Sequence, residues 1–281
     1  MDLLGIRTLM LVAVASDDDL VERLVLKGGN ALEIVHRIGE RASLELDFSV
    51  DGDLQDLEDV RRRLFQALRD RFDSVGLILF DERLDPRPEG SETARWGGYV
   101  AQFKLIERDR YRQLNGDLDA MRREAHVSGP AHQRVFTIEI SKFEYCEGKM
   151  EAQVDEYTCY VYTLAMIATE KLRAICQQMP DYPKRRNPTP RARDFYDIEV
   201  IVNYGSVNLV AEESLVLVQR MFEIKEVPIR LLARIGAYRE FHRQDWPAVQ
   251  NAVRVKLRDF DYYFDFVLGQ ARDILEALRI E

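Results

Sequence analysis

The chain of 281 residues is long enough for one large domain or two modest ones. Hydrophobic residues make up 46% of it and can build a sizeable core, while 40 basic against 49 acidic side chains give a net charge of −9. That balance argues against a surface covered in nucleic-acid-binding charge, although it leaves room for a local basic patch.

The cysteines and the apolar segments indicate in which cellular compartment the protein works. Cys146, Cys159 and Cys176 show no CxxC spacing, and with only four histidines they argue against a disulfide framework and a zinc site. The first segment, MDLLGIRTLMLVAVAS, has an acidic second residue and a single arginine, so it is predicted to be a helix and not a signal peptide. No apolar run approaches the roughly 20 residues of a membrane span. We therefore expect a cytoplasmic protein with no membrane partner.

Hydrophobic spacing predicts two different halves. Helices are predicted at 18–26, 31–38 and 54–74. Strands are predicted in SLELDFSV, GLILFDERL, GGYVAQFKLIER and RVFTIEISKFEYC. From about Glu156 the spacing is helical to the end. The pattern indicates an α/β lobe at 1–155 followed by an all-α lobe at 156–281.

A glycine pair precedes the predicted helix 31–38. Gly28 and Gly29 allow a ligand to approach the backbone closely, and the start of a helix offers free N–H groups to an anion. The pair therefore fits a phosphate site. A simple turn is the alternative interpretation.

Two acids alternate with apolar residues in SLELDFSV. Glu45 and Asp47 share one face of this strand, because side chains two residues apart point to the same side. Neighbouring carboxylates repel each other unless a cation or water lies between them, and Mg²⁺ prefers oxygen ligands. The strand therefore suggests a metal site. A strand with a half-solvated polar face is the alternative.

A third acid, Glu139, lies at the centre of the predicted strand RVFTIEISKF. If this strand is a neighbour of SLELDFSV, Glu139 completes a cluster of three carboxylates suited to two-metal phosphoryl transfer. An acid on a solvated strand face would have the same pattern.

Lys171 lies on the apolar stripe of the predicted helix around 162–178, four residues from both Ile167 and Ile175. A lysine on such a stripe needs an anion or must extend its amine to the solvent. Binding a phosphate and extending to solvent both remain open from the sequence.

The segment PDYPKRRNPTPRAR combines prolines with basic residues, and RDFYDI follows it directly. In an acidic chain, this loop is a plausible patch for the phosphates of RNA or of a triphosphate, although a solvated turn fits too. Asp194 is placed to cap the next helix or to take part in catalysis, and Asp197 lies one turn further on. The candidate RNA-binding residues are Lys184, Arg185, Arg186, Arg191 and Arg193.

Taken in order, LKGGNAL, ASLELDFS, IEIS, EKLRA and RARDFYDI resemble the AbiEii-type nucleotidyltransferase toxins, within the polymerase-β-like nucleotidyltransferase superfamily. The resemblance covers roughly Leu26 to Ile198, and the helical remainder agrees in character only. It implies an α+β fold, in which a polymerase-β-like core with a mixed or antiparallel sheet and helices is followed by an all-α C-terminal lobe. It also implies transfer of a nucleotide from an NTP to an acceptor such as tRNA.

The resemblance also implies roles for residues of the first lobe. Gly28 and Gly29 match the turn that holds the triphosphate, with Lys27 beside them. Glu45 and Asp47 match the pair of acids that binds metal.

Three further positions match the family pattern. Ser43 matches a hydroxyl that some relatives phosphorylate, and we assign it to the nucleotide-binding set. Lys171 matches a lysine that contacts the nucleotide phosphates. Asp194 matches the acid of the R-D-x-Y-D motif, with Asp197 as its partner.

Two positions depart from that pattern. Asn30 stands where the family usually has Thr or Ser, and Glu45 stands where it usually has Asp. The extra methylene of Glu45 could displace a metal by about 1 Å, and misplacement on that scale can cost roughly 10²-fold in rate.

The hypothesis from the sequence is an Mg²⁺- or Mn²⁺-dependent nucleotidyltransferase that uses an NTP and modifies tRNA or another RNA. The implied setting is a bacterial toxin–antitoxin or abortive-infection system with an antitoxin as partner. Its catalytic residues would be Glu45, Asp47, Lys171 and Asp194, and Asn30 would belong to the nucleotide site.

Two alternatives remain open from the sequence. One is a catalytically silent nucleotidyltransferase fold that binds nucleotide, RNA or a protein. The other is an enzyme that modifies a small molecule.

Overall fold

The computed structural model describes residues 1–38, 45–90, 96–127, 133–182, 184, 187–253 and 255–280. The chain groups into two units. The first comprises Met1–Asn30 with Ser43–Val161, and the second comprises Ala31–Ala42 with Tyr162–Glu281. The division at 155/156 expected from the sequence remains a prediction, and the strand that follows it belongs to the first unit.

A mixed sheet forms the centre of the first unit. Its strands in the described residues are β1 (Val25–Lys27), β2 (Glu45–Ser49), β3 (Leu77–Arg87), β4 (Gly98–Glu107), β5 (Phe136–Ser141), β6 (Met150–Val154) and β7 (Tyr157–Val161). They are ordered β3-β4-β5-β2-β1-β7-β6. The pairs β2/β5 and β1/β7 are parallel, and the other neighbouring pairs are antiparallel. The α+β fold class is thereby confirmed.

Helices of the first unit supply the apolar faces that the sheet buries. They are α1 (Leu3–Ala15), α2 (Asp18–Arg23), the single turn α3 (Gly28–Asn30), α4 (Leu57–Ser74), α5 (Arg108–Leu114) and α6 (Leu118–Glu124). The amphipathic helix predicted at 54–74 is confirmed as α4. It begins after Asp56, whose side chain accepts a hydrogen bond from the backbone N–H of Asp59, and it buries Leu64, Leu68 and Phe72.

The second unit is helical. It contains a π-helical turn (Ala31–Val35), α7 (Leu164–Cys176), α8 (Ala192–Tyr204), α9 (Glu212–Ile224), a 3₁₀ segment (Ile229–Tyr238), α10 (Arg239–Arg243), α11 (Trp246–Ala252) and α12 (Phe260–Ala277). Its core includes the stacked rings of Phe195 and Phe264, whose centroids are 4.9 Å apart.

Three predictions of local structure were wrong. The helix predicted at 18–26 ends at Arg23, and Val25–Lys27 is strand β1. The helical pattern expected from Glu156 begins only at Leu164, because Tyr157–Val161 is a strand that pairs in parallel with β1. Its β-branched and aromatic residues, Tyr157, Thr158, Tyr160 and Val161, suit a sheet position. The predicted helix 31–38 is a short π-helical turn at Ala31–Val35.

In the part of the chain that the structure describes, no helix is long and apolar enough to cross a membrane.

Candidate functional site

Three carboxylates meet on one face of the sheet in the first unit. Glu45 is exposed and Asp47 is half-buried on β2, while Leu46 and Phe48 are buried on the opposite face, as the alternation predicted. The parallel register of β2 and β5 places Glu139 directly opposite Asp47. One carboxylate oxygen from each of Glu45, Asp47 and Glu139 lies within 4.8 Å of the others. The two strands are neighbours, which is the condition under which the sequence would bring Glu139 to the other two acids.

The electrostatics of this cluster suit a cation. Carboxylates this close raise each other's energy when ionised, and oxygen donors are the ligands that Mg²⁺ and Mn²⁺ prefer. A guanidinium also lies nearby, since Nη1 of Arg87 is 3.5 Å from Oε1 of Glu139. The side chain of Arg87 is 68% exposed, so this ion pair is weak and can be displaced. The three residues therefore have the donors needed for a divalent metal.

The glycine turn lies against the cluster. Gly28 has a φ of +67°, and a Cβ at this position would be 2.9 Å from Oδ2 of Asp47. Glycine is required here both by the backbone conformation and by the close approach of the carboxylate. The turn thus leaves open the space beside Asp47 that any other residue would fill.

Lys27 contributes positive charge to the same face. It is the cross-strand partner of Asp47 in the β1/β2 register, and its Nζ donates a hydrogen bond to Oγ of Ser141 at 3.1 Å. The residue is only 7% exposed. Its ammonium is held over β2 and β5 and is not extended into solvent.

Asn30 has a structural environment that the sequence did not indicate. It is fully buried, its Oδ1 accepts a hydrogen bond from Nη1 of Arg7 at 2.6 Å, and its Nδ2 donates to the backbone carbonyl of Glu45. Asn30 therefore links α1 to the first residue of β2. Arg7 was not among the predicted site residues, although an arginine inside the otherwise apolar segment LLGIRTLMLVAVA indicates a buried partner.

Lys171 lies in a buried ion-pair cluster of the second unit. Its Nζ is 3.0 Å from Oδ1 of Asp194 and 2.7 Å from Oδ2 of Asp197, and the residue is 6% exposed. Lys171 therefore does not extend to solvent. The capping interpretation of Asp194 was also wrong, because α8 begins at Ala192 and Asp194 lies within its first turn.

The carboxylate of Asp194 is surrounded by positively charged groups. Nε of Arg191 donates to Oδ2 of Asp194 at 2.5 Å. Burial by itself would raise the pKa of Asp194, but Arg191 and Lys171 hold this pKa below its usual range. The backbone N–H of Arg191 donates to Nδ1 of His242 at 3.1 Å, and burial lowers the pKa of His242 to about 4. The cluster thus pairs two cations with two anions.

The basic loop is only partly described. Lys184 pairs with Glu226 at 2.5 Å, and Arg193 is exposed on α8, whereas Arg191 is engaged with Asp194. The predicted residues Arg185 and Arg186, like Ser43 of the nucleotide-binding set, lie outside the described residues.

Comparisons with known proteins agree with this architecture. The family model described as "Nucleotidyl transferase AbiEii toxin, Type IV TA system" matches residues 9–269. Among solved structures, the chain is similar to the crystal structure of JHP933 from Helicobacter pylori, with 15% identity and a TM-score of 0.50. The alignment covers 98% of this chain and 91% of that one, and at this identity it supports the fold alone. The comparison with curated proteins gave no match.

Proposed function

Because this chain belongs to the AbiEii family of nucleotidyl transferase toxins, we propose that it transfers a nucleotide from an NTP to an RNA acceptor in a metal-dependent reaction. The observation that carries the proposal is the cluster of Glu45, Asp47 and Glu139 beside the Gly28 turn. An antitoxin protein would be its partner, in keeping with the type IV toxin–antitoxin description of the family.

Glu45, Asp47 and Glu139 would hold Mg²⁺ or Mn²⁺. Such an ion, when bound, neutralises the charge that develops on the phosphates and orients the reacting oxygens. The donor set supports this assignment, since all three residues offer carboxylate oxygens within 4.8 Å of one another.

The chain's own residues would position the substrate. The turn at Gly28 leaves a phosphate room to approach the backbone next to Asp47, and Lys27 supplies a nearby positive charge. In the reaction, the acceptor hydroxyl attacks the α-phosphorus and releases its proton to solvent, the bond from this phosphorus to the bridging oxygen breaks, and pyrophosphate leaves. Catalysis would consist mainly of positioning and charge neutralisation.

The second unit would supply further parts of the mechanism that the family resemblance implies. Lys171 would contact nucleotide phosphates and Asp194 would take part in catalysis, while Lys184 and Arg193 would guide the RNA. Two carboxylates hold the ammonium of Lys171 in the structure, so contact with a phosphate would require this ammonium to leave at least one of them.

A catalytically silent binding protein is the second candidate. The observation that favours it is the guanidinium of Arg87, which already lies 3.5 Å from Glu139 and offers that carboxylate a cation without any metal. A silent protein would bind neither Mg²⁺ nor Mn²⁺ at the cluster.

The test is incubation with each of the four α-³²P-labelled NTPs, Mg²⁺ and total bacterial RNA. We expect wild type to label tRNA-sized RNA, and Asp47→Asn to lose at least about 10²-fold in rate, because the substitution removes a metal-binding charge. Asp85→Asn is the matched control, since Asp85 is an exposed carboxylate on β3 of the same sheet and is not part of the cluster.

Equal labelling by wild type and Asp47→Asn would contradict the assigned site. A folded wild-type protein that labels no RNA with any NTP and shows no Mn²⁺ binding by calorimetry would favour the silent binding protein.

A further inference from the structure

A cavity of about 580 Å³ opens on the second unit between α8, α12 and the segment 255–258. Its volume falls within the range of roughly 300–1,000 Å³ that is usual for pockets that bind small molecules. All of its lining residues belong to the second unit, and none of them is a member of the carboxylate cluster.

Tyrosines form much of its wall. Tyr196 and Tyr263 are buried with ring centroids 5.5 Å apart, and Tyr262 meets Tyr263 at 5.1 Å, so these rings are fixed by one another. Tyr204 is different, because it lines the same cavity with 76% of its surface exposed. An aromatic ring left in solvent beside a cavity is a surface on which a nucleobase can stack.

The rim of the cavity carries positive charge. Arg37, Lys256 and Arg258 all line it, although the whole chain has a net charge of −9. Cζ of Arg258 lies 4.2 Å from the ring centroid of Tyr262, so its guanidinium is held over an aromatic face. Cations placed next to exposed aromatic rings are the combination that binds the phosphates and bases of single-stranded nucleic acid.

The carboxylate of Glu199 in the cavity wall uses only one of its two oxygens as a hydrogen-bond acceptor among the described residues. Oε1 of Glu199 accepts hydrogen bonds from Nδ2 of Asn203 and from the hydroxyl of Tyr262, both at 2.9 Å. Among the described residues, none donates a hydrogen bond to Oε2 of the same carboxylate. Glu199 is 8% exposed, and a carboxylate oxygen at such a site favours a ligand that brings an N–H donor.

We propose that this cavity binds one unpaired nucleotide of an RNA strand, with a base that carries an exocyclic amino group. The base stacks on Tyr204, its amino group donates to Oε2 of Glu199, and its phosphates contact the basic rim. Uracil is disfavoured because it presents a carbonyl oxygen where cytosine presents an amino group. This inference does not depend on the proposed transfer reaction, because no part of the cavity requires the carboxylate cluster.

The test compares two oligonucleotides whose bases differ at C4, where cytosine has an amino group and uracil a carbonyl, and at the adjacent N3, which is an acceptor in cytosine and an N–H in uracil. Binding of fluorescein-labelled oligocytidylate and oligouridylate of equal length to the full chain would be followed by fluorescence anisotropy. Asp47→Asn serves as the background, so that binding is measured whether or not transfer takes place. We expect the cytidine strand to bind about tenfold more tightly, the effect of one hydrogen bond to a charged group.

Glu199→Gln is the decisive variant. Its amide oxygen can accept the bonds from Asn203 and Tyr262, while its NH₂ group replaces Oε2 and presents donors to the cavity. The preference for cytidine over uridine is therefore expected to disappear or reverse. Because the internal hydrogen bonds are preserved, the melting temperature should stay close to that of the parent protein.

Tyr204→Ala tests the stacking. It should weaken both strands about tenfold, because stacking does not depend on base identity. Arg220→Ala is the matched control, since Arg220 is an exposed residue of α9 in the same unit that does not line the cavity.

Three outcomes would overturn the proposal. The first is equal affinity for the two strands together with unchanged binding by Glu199→Gln, and the second is unchanged binding by Tyr204→Ala. The third is displacement of the labelled strand by free CTP at the same concentration as by unlabelled strand. The last result would assign the cavity to a mononucleotide.

Discussion

At the scale of single residues, Gly28 is the position where sequence and chemistry are most tightly coupled. Its φ of +67° lies in the left-handed region, and its missing side chain leaves space next to Oδ2 of Asp47. The effect of backbone strain can be separated from the effect of filling this space by comparison with Gly52. Gly52 has a similar φ of +75°, but no atom lies within 4 Å of the position that its Cβ would occupy. The pair therefore distinguishes backbone strain from damage to the site.

We predict that Gly28→Ala and Gly52→Ala both destabilise the fold by about 1 kcal/mol or somewhat more, from the strained backbone. Only Gly28→Ala should also reduce Mn²⁺ affinity and RNA labelling, because its methyl group must displace the Asp47 carboxylate. Urea unfolding gives the stabilities, and calorimetry gives the metal affinity. Equal metal affinity in the two variants would show that the space beside Asp47 is not needed.

At the scale of secondary-structure elements, α7 and α8 are joined by buried charge. Lys171 on α7 contacts two carboxylates of α8, Asp194 and Asp197, and Arg191 contacts Asp194 from the residue that precedes the helix. Breaking a buried ion pair by removing one partner costs about 3–5 kcal/mol, because the remaining charge is left uncompensated. The R-D-x-Y-D motif therefore has a packing role in addition to any catalytic one.

The lowered pKa of Asp194 predicts how stability depends on pH. The pKa of Asp194 in the folded protein is below the value of about 3.9 for an unfolded chain. The ionised carboxylate therefore makes its full contribution to the free energy of unfolding above about pH 3.9, and this contribution is lost as the pH falls from there through the folded pKa. We expect the free energy of unfolding of Asp194→Asn to be lower at pH 7 and to fall less between pH 5 and pH 2 than that of wild type. Glu276→Gln, an exposed position on α12, is the control and should keep the wild-type dependence. Parallel curves for wild type and Asp194→Asn would contradict the assignment.

At the scale of the whole molecule, the second unit is built from two separate segments of the chain. Ala31–Ala42 belongs to it, although these residues lie between β1 and β2 in the sequence. A hydrogen bond of 2.8 Å from Nε2 of His36 to the backbone carbonyl of Tyr162 ties this segment to the start of the helical part. The second unit is therefore not a continuous piece of sequence.

We predict that a fragment of residues 162–281 unfolds at a lower urea concentration than the second unit in the full chain. Fluorescence of Trp246 reports this unit once Trp96 is replaced by Phe, because these are the chain's two tryptophans. Fusion of residues 31–42 to the fragment through a Gly-Ser linker should restore much of the difference. An identical midpoint for the fragment and the full chain would show that the segment 31–42 contributes no stability.

The sequence by itself determined the features whose signal is local. Alternation placed Glu45 and Asp47 on one face of a strand, and the apolar stripe of α7 identified Lys171 as an inward residue, because periods of two and about 3.6 residues depend only on backbone geometry. The tertiary structure decided what depends on residues far apart in the chain. Glu139 lies beside Asp47 because β5 pairs with β2, and Tyr157–Val161 is a strand that pairs in parallel with β1. These outcomes follow from which elements pack together, and the free energy of that packing is shared among residues that no local pattern connects.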